Sequence, residues 1–212
     1  EQEHRLEPDL LHPLVKGGDS KAFALKRTNR LILFPYAKNY ADEAGLIPAS
    51  RFKKEYPLTW AYLKENKRAL EEREDGRMKH DGWYGYIYPK ALGVMPLPKL
   101  FTPDLAPVAA FSYDPTGEIF FTGGVAGGYG ILPKPGIRPE FLLALLNSRL
   151  LDFFLHQIAT QMRGGWFSYE ARFIRHLPIH LLNLSDAAER AKHDAIVALV
   201  GRILATKAAE ST

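Results

Sequence analysis

The stretch from Pro139 to Pro178, PEFLLALLNSRLLDFFLHQIATQMRGGWFSYEARFIRHLP, constrains the fold more than any other part of the chain. Over positions 141 to 160 the polar residues Arg149, Asp152, His156 and Thr160 recur three or four apart, on one narrow stripe of a helix otherwise covered by Phe, Leu and Ile. The pattern predicts a helix over 139–160 that is buried on several sides. Gly164 and Gly165 are expected to end it, because glycine enters the left-handed cap conformation without a Cβ penalty. Arg163, Trp166, Tyr169, Arg172 and Arg175 follow at once. Cations interleaved with flat rings suit phosphate and base contacts. Equally, the rings fit a core and the arginines a solvated rim, and residue type alone does not separate the two.

The remaining composition narrows the setting. A chain of 212 residues with 46% hydrophobic content can bury a full core, which fits one large domain or a domain with an extra subdomain. Arg149 and Asp152 interrupt the apolar run before it reaches the roughly 18 to 20 residues a membrane span needs, and the start EQEHRLEPD lacks a signal-peptide pattern, so no membrane association is expected. Cysteine is absent, which excludes disulfides and thiolate metal sites and fits a cytoplasmic location. The net charge is +4, and residues 15–30 carry all of it: Lys16, Lys21, Lys26, Arg27 and Arg30 stand against Asp19 alone. Such a patch suits a polyanion or a soluble face.

Along the chain, VKGGDSKAFALKRTNRLILFPY reads as a loop, a short basic segment and a strand at 30–36. Residues 50–74 read as helical, with Ser50 as a cap, Pro57 opening a second helix, Trp60, Leu63, Lys67 and Leu70 on one face, and Gly76 as the stop. From 92 to 132 the pattern turns to short strands around a turn at Asp114–Gly117. A last helix has Asn183 or Ser185 as cap and Ile196, Leu199, Val200, Ile203 and Leu204 on one stripe.

Several motifs carry competing chemistry. Pro8-Asp9 followed by Asp19-Ser20-Lys21 has the loose spacing of a PD-(D/E)xK nuclease, in which two carboxylates and a lysine hold magnesium and polarise a water. Against it, Gly17-Gly18-Asp19-Ser20 reads as a turn rather than a buried strand. The glycines of GGVAGGYG at 123–130 miss the G-x-G-x-x-G spacing and precede prolines, so they read as closely packed strand glycines, not a nucleotide loop. His176 and His180 are separated by Pro178, which spoils the helix that would align them on a metal, leaving structural or surface histidines. HDGWYGYIYPK at 80–90 packs four aromatics into a glycine-broken loop, either a base-facing platform or an anchor for the loop itself.

Together these pieces resemble the TaqI-like C-terminal specificity domain, the target-recognition part of adenine-specific DNA methyltransferases and of fused type IIG restriction-modification enzymes. The resemblance rests on LVKGGDSKAF at 14–23, LILFPY at 31–36, LIPASRFKKEYPLTWAYLKENKRALEER at 46–73, WYGYIYPK at 83–90 and PKLFTPDLAPVAAFSYDPTGEIFF at 98–121. Most specific are LLALLNSRLLDFFLHQIA at 142–159 and RGGWFSYEARFIRHLPI at 163–179. It covers about residues 11–180, with 181–212 as a C-terminal helix, and reassigns Asp19 and Lys21 to the entrance motif.

What the resemblance implies is one domain over 1–212 that is part of a larger enzyme. The implied fold is α+β: a small twisted, mostly antiparallel sheet packed on the 139–160 helix, with a helical flank and a C-terminal helix. Its implied role is sequence-specific recognition of double-stranded DNA, while a separate N-terminal methyltransferase domain binds S-adenosylmethionine and methylates a flipped adenine. No Pro-Pro pair occurs, so the Asn-Pro-Pro-Tyr catalytic motif is missing. No catalytic residue, metal or cofactor is expected in this chain. Lys16, Lys21, Lys26 and Arg27 would neutralise phosphates; Lys79, Trp83, Tyr84, Lys90, Arg163, Tyr169 and Arg172 would approach base edges or sugar. A magnesium nuclease using Asp9, Asp19 and Lys21, and a protein-interaction module docking through the aromatic loop, are the alternatives.

Overall fold

The computed structural model describes residues 3–37 and 45–210. Its first strands are β1 (Leu11–Val15), β2 (Ser20–Lys21), β3 (Ala24–Leu25) and β4 (Leu31–Leu33), with a 3-10 turn at Gly17–Asp19 between β1 and β2. Short helices follow: α1 (Ala49–Glu55), α2 (Pro57–Glu65), α3 (Lys67–Glu71) and α4 (Arg73–Gly76). Next come β5 (Lys99–Pro103), β6 (Leu105–Ala106), β7 (Ser112–Asp114), β8 (Phe120–Phe121) and β9 (Gly128–Ile131). The chain closes with α5 (Pro139–Leu146), α6 (Arg149–Ile158), β10 (Gln161–Met162), β11 (Trp166–Ser168), α7 (Ala171–Ile174) and α8 (Ala187–Ala209).

This is the expected α+β class, but the strands form several small sheets rather than one. Their orders are β4-β1-β8, β7-β5-β9, β10-β11-β6 and the hairpin β2-β3. Only the β1–β8 pair is parallel among the described residues, with Leu14 opposite Phe120. Proline keeps the pieces short: Pro98, Pro103, Pro107 and Pro115 lack the N–H that would extend a ladder. Gly128 of β9 and its neighbour Gly127 are needed for close approach. A Cβ on Gly128 would lie 2.0 Å from the Thr102 carbonyl oxygen, and one on Gly127 would lie 1.6 Å from that of Thr122.

The helix expected over 139–160 is two helices, bent by 61° at Asn147-Ser148. Pro139 starts α5 in its first turn, where a missing N–H costs nothing. Ser148 starts α6, its hydroxyl accepting from the Leu151 N–H at 3.3 Å. Asn147 turns back to the strand layer and bonds the backbone of Phe111. As a result α5 packs on α8, β5 and β7, while α6 packs on α5 and α7. The glycines do not end this helix. Gly164 and Gly165, both at φ +77, form the turn of the β10–β11 hairpin.

Three apolar clusters make the core. Leu100, Phe111, Leu143, Leu155 and Val200 centre the first, Val15, Phe34, Phe101 and Phe120 the second, and Phe52, Leu63, Trp83 and Tyr84 the third, under the helical flank. On α8 the apolar stripe is Ile196, Val200 and Leu204, with Leu199 turned to solvent, and the cap is Asp186 rather than Asn183 or Ser185. Pro48, not Ser50, occupies the cap of α1. Lys99 and Asp114 form an ion pair with essentially no solvent access.

Candidate nucleic-acid interface

The entrance segment folds around Asp19. Its Oδ2 accepts from the Lys16 N–H at 2.7 Å and pairs with the Arg30 guanidinium, and its carbonyl accepts from the Lys26 N–H at 2.9 Å. Partial burial alone would raise the carboxyl pKa; the Lys16 N–H, Arg30 and the Lys26 charge outweigh it and hold it below the ordinary carboxylate range. Asp19 is therefore committed to the turn, its carboxylate engaged by the Lys16 N–H and the Arg30 guanidinium. Asp9 sits exposed in a separate turn at Pro8–Leu10. Lys16, Lys21, Lys26 and Arg27 are all exposed around this segment.

A run of backbone hydrogen bonds ties the entrance turn to the arginine-bearing hairpin. The Gly17 N–H donates to the Ala126 carbonyl at 3.1 Å, the Asp104 N–H to Gly127 at 3.2 Å, and the Tyr169 N–H to Asp104 at 2.7 Å. Gly17 has no room for a side chain here: a Cβ would lie 2.9 Å from the Gly127 oxygen. The hairpin pairs through β11 with β6 and presents Arg163 exposed at its turn. Arg172 follows on α7, its Nη2 donating to Glu170 at 2.8 Å and its guanidinium 4.7 Å from the centre of the Phe173 ring. Asp104 lies between the two halves; burial and Glu170 raise its carboxyl pKa, against the opposing charge of Arg172.

The rings divide differently from the expectation. Tyr169 is 0% exposed, with its hydroxyl donating to Asp152 Oδ1 at 2.5 Å, and burial followed by that carboxylate pushes its pKa up. Trp83 and Tyr84 are each 6% exposed, Tyr84 donating to the Ile47 carbonyl at 2.7 Å and Trp83 packing 5.6 Å from Trp60. These three rings are core, because each fills an apolar cluster and leaves no face for a base. Trp166 is the reverse case, 44% exposed on β11. Lys79 and Lys90 are exposed but lie in the 77–91 segment beside the helical flank, where Trp83 and Tyr84 join the third cluster, Tyr86 packs on the second and Tyr88 is exposed, rather than on the hydrogen-bonded edge.

Sequence reasoning missed the residues that hold the hairpin in place. Asp152 accepts from the Ala109 N–H at 2.9 Å as well as from Tyr169, and His156 stacks on Phe167 at 3.7 Å. Asp152 and His156 thus face inward with Leu151 and Leu155, whereas Arg149, Leu150, Phe153, Phe154 and Ile158 face out. The four-residue spacing of Asp152 and His156 was visible; which side it served was not. GGVAGGYG is no cofactor cradle, since Gly127 and Gly128 are packed onto carbonyl oxygens. Among the described residues no group of three His, Asp or Glu side chains is placed to share a metal.

No protein-family model matches the chain. It is similar to the type II methyltransferase M.BstVI of Geobacillus stearothermophilus, 25% identical over 201 residues that make up 92% of this chain and 33% of that protein. It is similar also to the type II methyltransferases M.XhoI of Xanthomonas vasicola, 24% identical over 91% of this chain and 33% of that protein, and M.PaeR7I of Pseudomonas aeruginosa, 24% identical over 82% and 28%. The chain is related to type II methyltransferases. It spans about a third of the length of the relatives it matches.

One surface of this methyltransferase-related chain is conspicuously apolar. Leu150 is 74% and Phe153 65% exposed on α6, and Phe154, Ile158, Met162 and Trp166 continue the patch onto the hairpin. Exposed large apolar side chains gathered on one helix and the following hairpin suit an interaction surface. No single helix among the described residues is long and apolar enough to cross a membrane.

Proposed function

We propose that this chain is the DNA target-recognition part of an adenine-specific methyltransferase, of the TaqI-like specificity type, and is non-catalytic by itself. The observation that carries the reading is the hydrogen-bonded edge running from Lys16 and Gly17 through Ala126-Gly127 and Asp104 to Tyr169 beside the Arg163 hairpin, which joins two sets of cations through segments bonded backbone to backbone. Phosphates would be neutralised by Lys16, Lys26 and Arg27, which sets register, and Arg163 at a rigid turn would reach a base edge bidentately. The relatives support it, because they are methyltransferases about three times as long as the stretch they share with this chain.

S-adenosylmethionine and the methyl transfer belong, in this reading, to the part of the relatives that the chain does not match. That part is also the occupant we assign to the Leu150–Phe153–Ile158 face, since a domain fused to this one would cover apolar surface that water leaves costly. A cytoplasmic restriction-modification setting accords with this.

Band shifts with duplex DNA, with and without magnesium and S-adenosylmethionine, test the proposal. The chain is expected to shift duplex DNA at low salt, without cleaving or methylating it. Cleavage that is lost in Asp19→Ala would replace the reading with the nuclease. In a longer protein that includes the methyltransferase part, Arg163→Ala is expected to cost about 1 to 3 kcal/mol on the preferred site and to relax preference at one position.

A further inference from the structure

The helical flank holds a groove that the recognition edge does not use. It has a volume of about 860 Å³ and lies between α1, α2 and α3 on one side and residues 79–83 on the other. Lys53, Lys64, Lys67 and Lys79 line it, with Trp60 and Trp83 in its wall. The acids lining it are Glu71 and Asp81, and Glu71 is already paired with Lys67 at 3.4 Å. Lys53, Lys64 and Lys79 are exposed and form no salt bridge among the described residues. With Glu71 taken up by Lys67, the charges of Lys53, Lys64 and Lys79 exceed that of Asp81, and this excess of positive charge favours an anion in the groove.

The tryptophans decide what kind of anion. Lys53 Nζ lies 5.4 Å from the centre of the Trp60 ring, and Lys67 Nζ lies 5.4 Å from that of Trp83. A cation over a ring face is restrained there yet keeps N–H donors for an oxygen, so the rings aim these ammoniums at the groove. The same contacts deny the rings to a base, for Trp83 is buried and Trp60 is half-buried beneath Lys53. Base stacking is what single-stranded binding requires. A phosphodiester backbone, whose bases remain paired elsewhere, needs only the cations.

We propose that this groove is a second binding site, for the phosphate backbone of duplex DNA flanking the sequence that the edge reads. The inference rests on the DNA-recognition reading and adds Lys53, Lys64, Lys67 and Lys79 to it as a separate anchor, with Trp60 and Trp83 as positioning residues. Affinity therefore draws on duplex length beyond the recognised sequence.

The test compares the 212-residue chain with Lys53→Gln/Lys64→Gln/Lys79→Gln and with Lys16→Ala/Lys26→Ala, on duplexes of about one and about three helical turns. The unmutated chain is expected to bind the long duplex more tightly. The triple variant is expected to lose that gain and to lower the slope of log affinity against log salt by about 2 to 3, at about 0.9 per phosphate contact. The double variant is expected to lose affinity on both lengths and to keep the gain. In a Trp166→Phe background Trp60 and Trp83 are the remaining tryptophans, and their fluorescence is expected to respond to the long duplex except in the triple variant. Retention of the length gain and of the fluorescence response by the triple variant overturns the groove alone. A chain that binds no duplex at low salt overturns both the groove and the recognition reading.

Discussion

Asn147 pairs with the backbone of Phe111 at both ends of its side chain: Oδ1 accepts from the N–H at 3.0 Å and Nδ2 donates to the carbonyl at 2.9 Å. The pairing pins the α5–α6 break to the start of β7 and so fixes the direction in which α6 runs. Phe111 is 1% exposed, so Asn147→Ala leaves its N–H without a partner, at about 1 to 3 kcal/mol, while its carbonyl keeps the Phe23 N–H at 2.9 Å. The melting midpoint is expected to fall by several degrees at about 2 to 4 °C per kcal/mol. An unchanged midpoint would mean that the bend is held by something else.

The buried ion pair makes a second stability prediction. Lys99 Nζ donates to Asp114 at 2.5 Å and to the Met95 carbonyl at 2.8 Å, while Asp114 also accepts from the Gly117 and Ile119 N–H groups. Burial pulls the Lys99 pKa down, and the Asp114 carboxylate opposes the shift. Asp114→Asn preserves the turn but strands the ammonium, and is expected to cost about 3 to 5 kcal/mol in urea unfolding. Adding Lys99→Met to that variant is expected to restore part of the loss. A double variant no more stable than the single one would show that the charge itself is not the source.

Acid sensitivity follows from Asp19 and Glu7. The carboxylate of Glu7 accepts from the N–H groups of Leu58 and Thr59, both at 2.8 Å, and from the Thr59 hydroxyl; these outweigh desolvation and lower its pKa, as the Lys16 N–H, Arg30 and Lys26 outweigh it at Asp19. A carboxyl depressed in the folded state contributes stability that is present above its unfolded value and lost as pH falls through the folded one. The stability contributed by these two groups is thus present above pH 4.5 and 3.8 respectively, and declines as pH falls below those values. Stability measured against pH in Glu7→Gln and Asp19→Asn is expected to show a shallower acid limb than in the unmutated chain. An identical limb contradicts the assignment.

Local chemistry made some of the fold legible in sequence and hid the rest. Pro57 and Pro139 open helices because a helix's first turn has no use for their missing N–H, and Asp114 to Gly117 turns because a short acid can bond its own backbone. The break at Asn147 was hidden, since its cause is Phe111, 36 residues earlier. The burial of α6 was misread for a related reason: Asp152 and His156 look like a solvent stripe until Ala109 and Tyr169 arrive to bond them. In the candidate site, the basic entrance turn and the Arg163 turn were visible as composition. Lys53, Lys64 and Lys67 were not, because lysines on a helix face carry no signal until Lys79 is folded opposite them.

The exchange of roles between tryptophans is open to direct measurement. Trp83→Ala is expected to cost about 3 to 5 kcal/mol, since its ring sits within the third core cluster, whereas Trp166→Ala is expected to leave thermal stability nearly unchanged. Comparable losses in both would return Trp166 to the core.

The central claim is that the edge joining Lys16 to Arg163 binds duplex DNA, and duplex affinity measured across a salt series tests it most directly. The account predicts a steep fall of affinity with salt, a slope reduced by about 2 in Lys16→Ala/Lys26→Ala, and equal loss on unrelated sequences. Affinity that does not change with salt, or that is untouched by removing those two lysines, would contradict it.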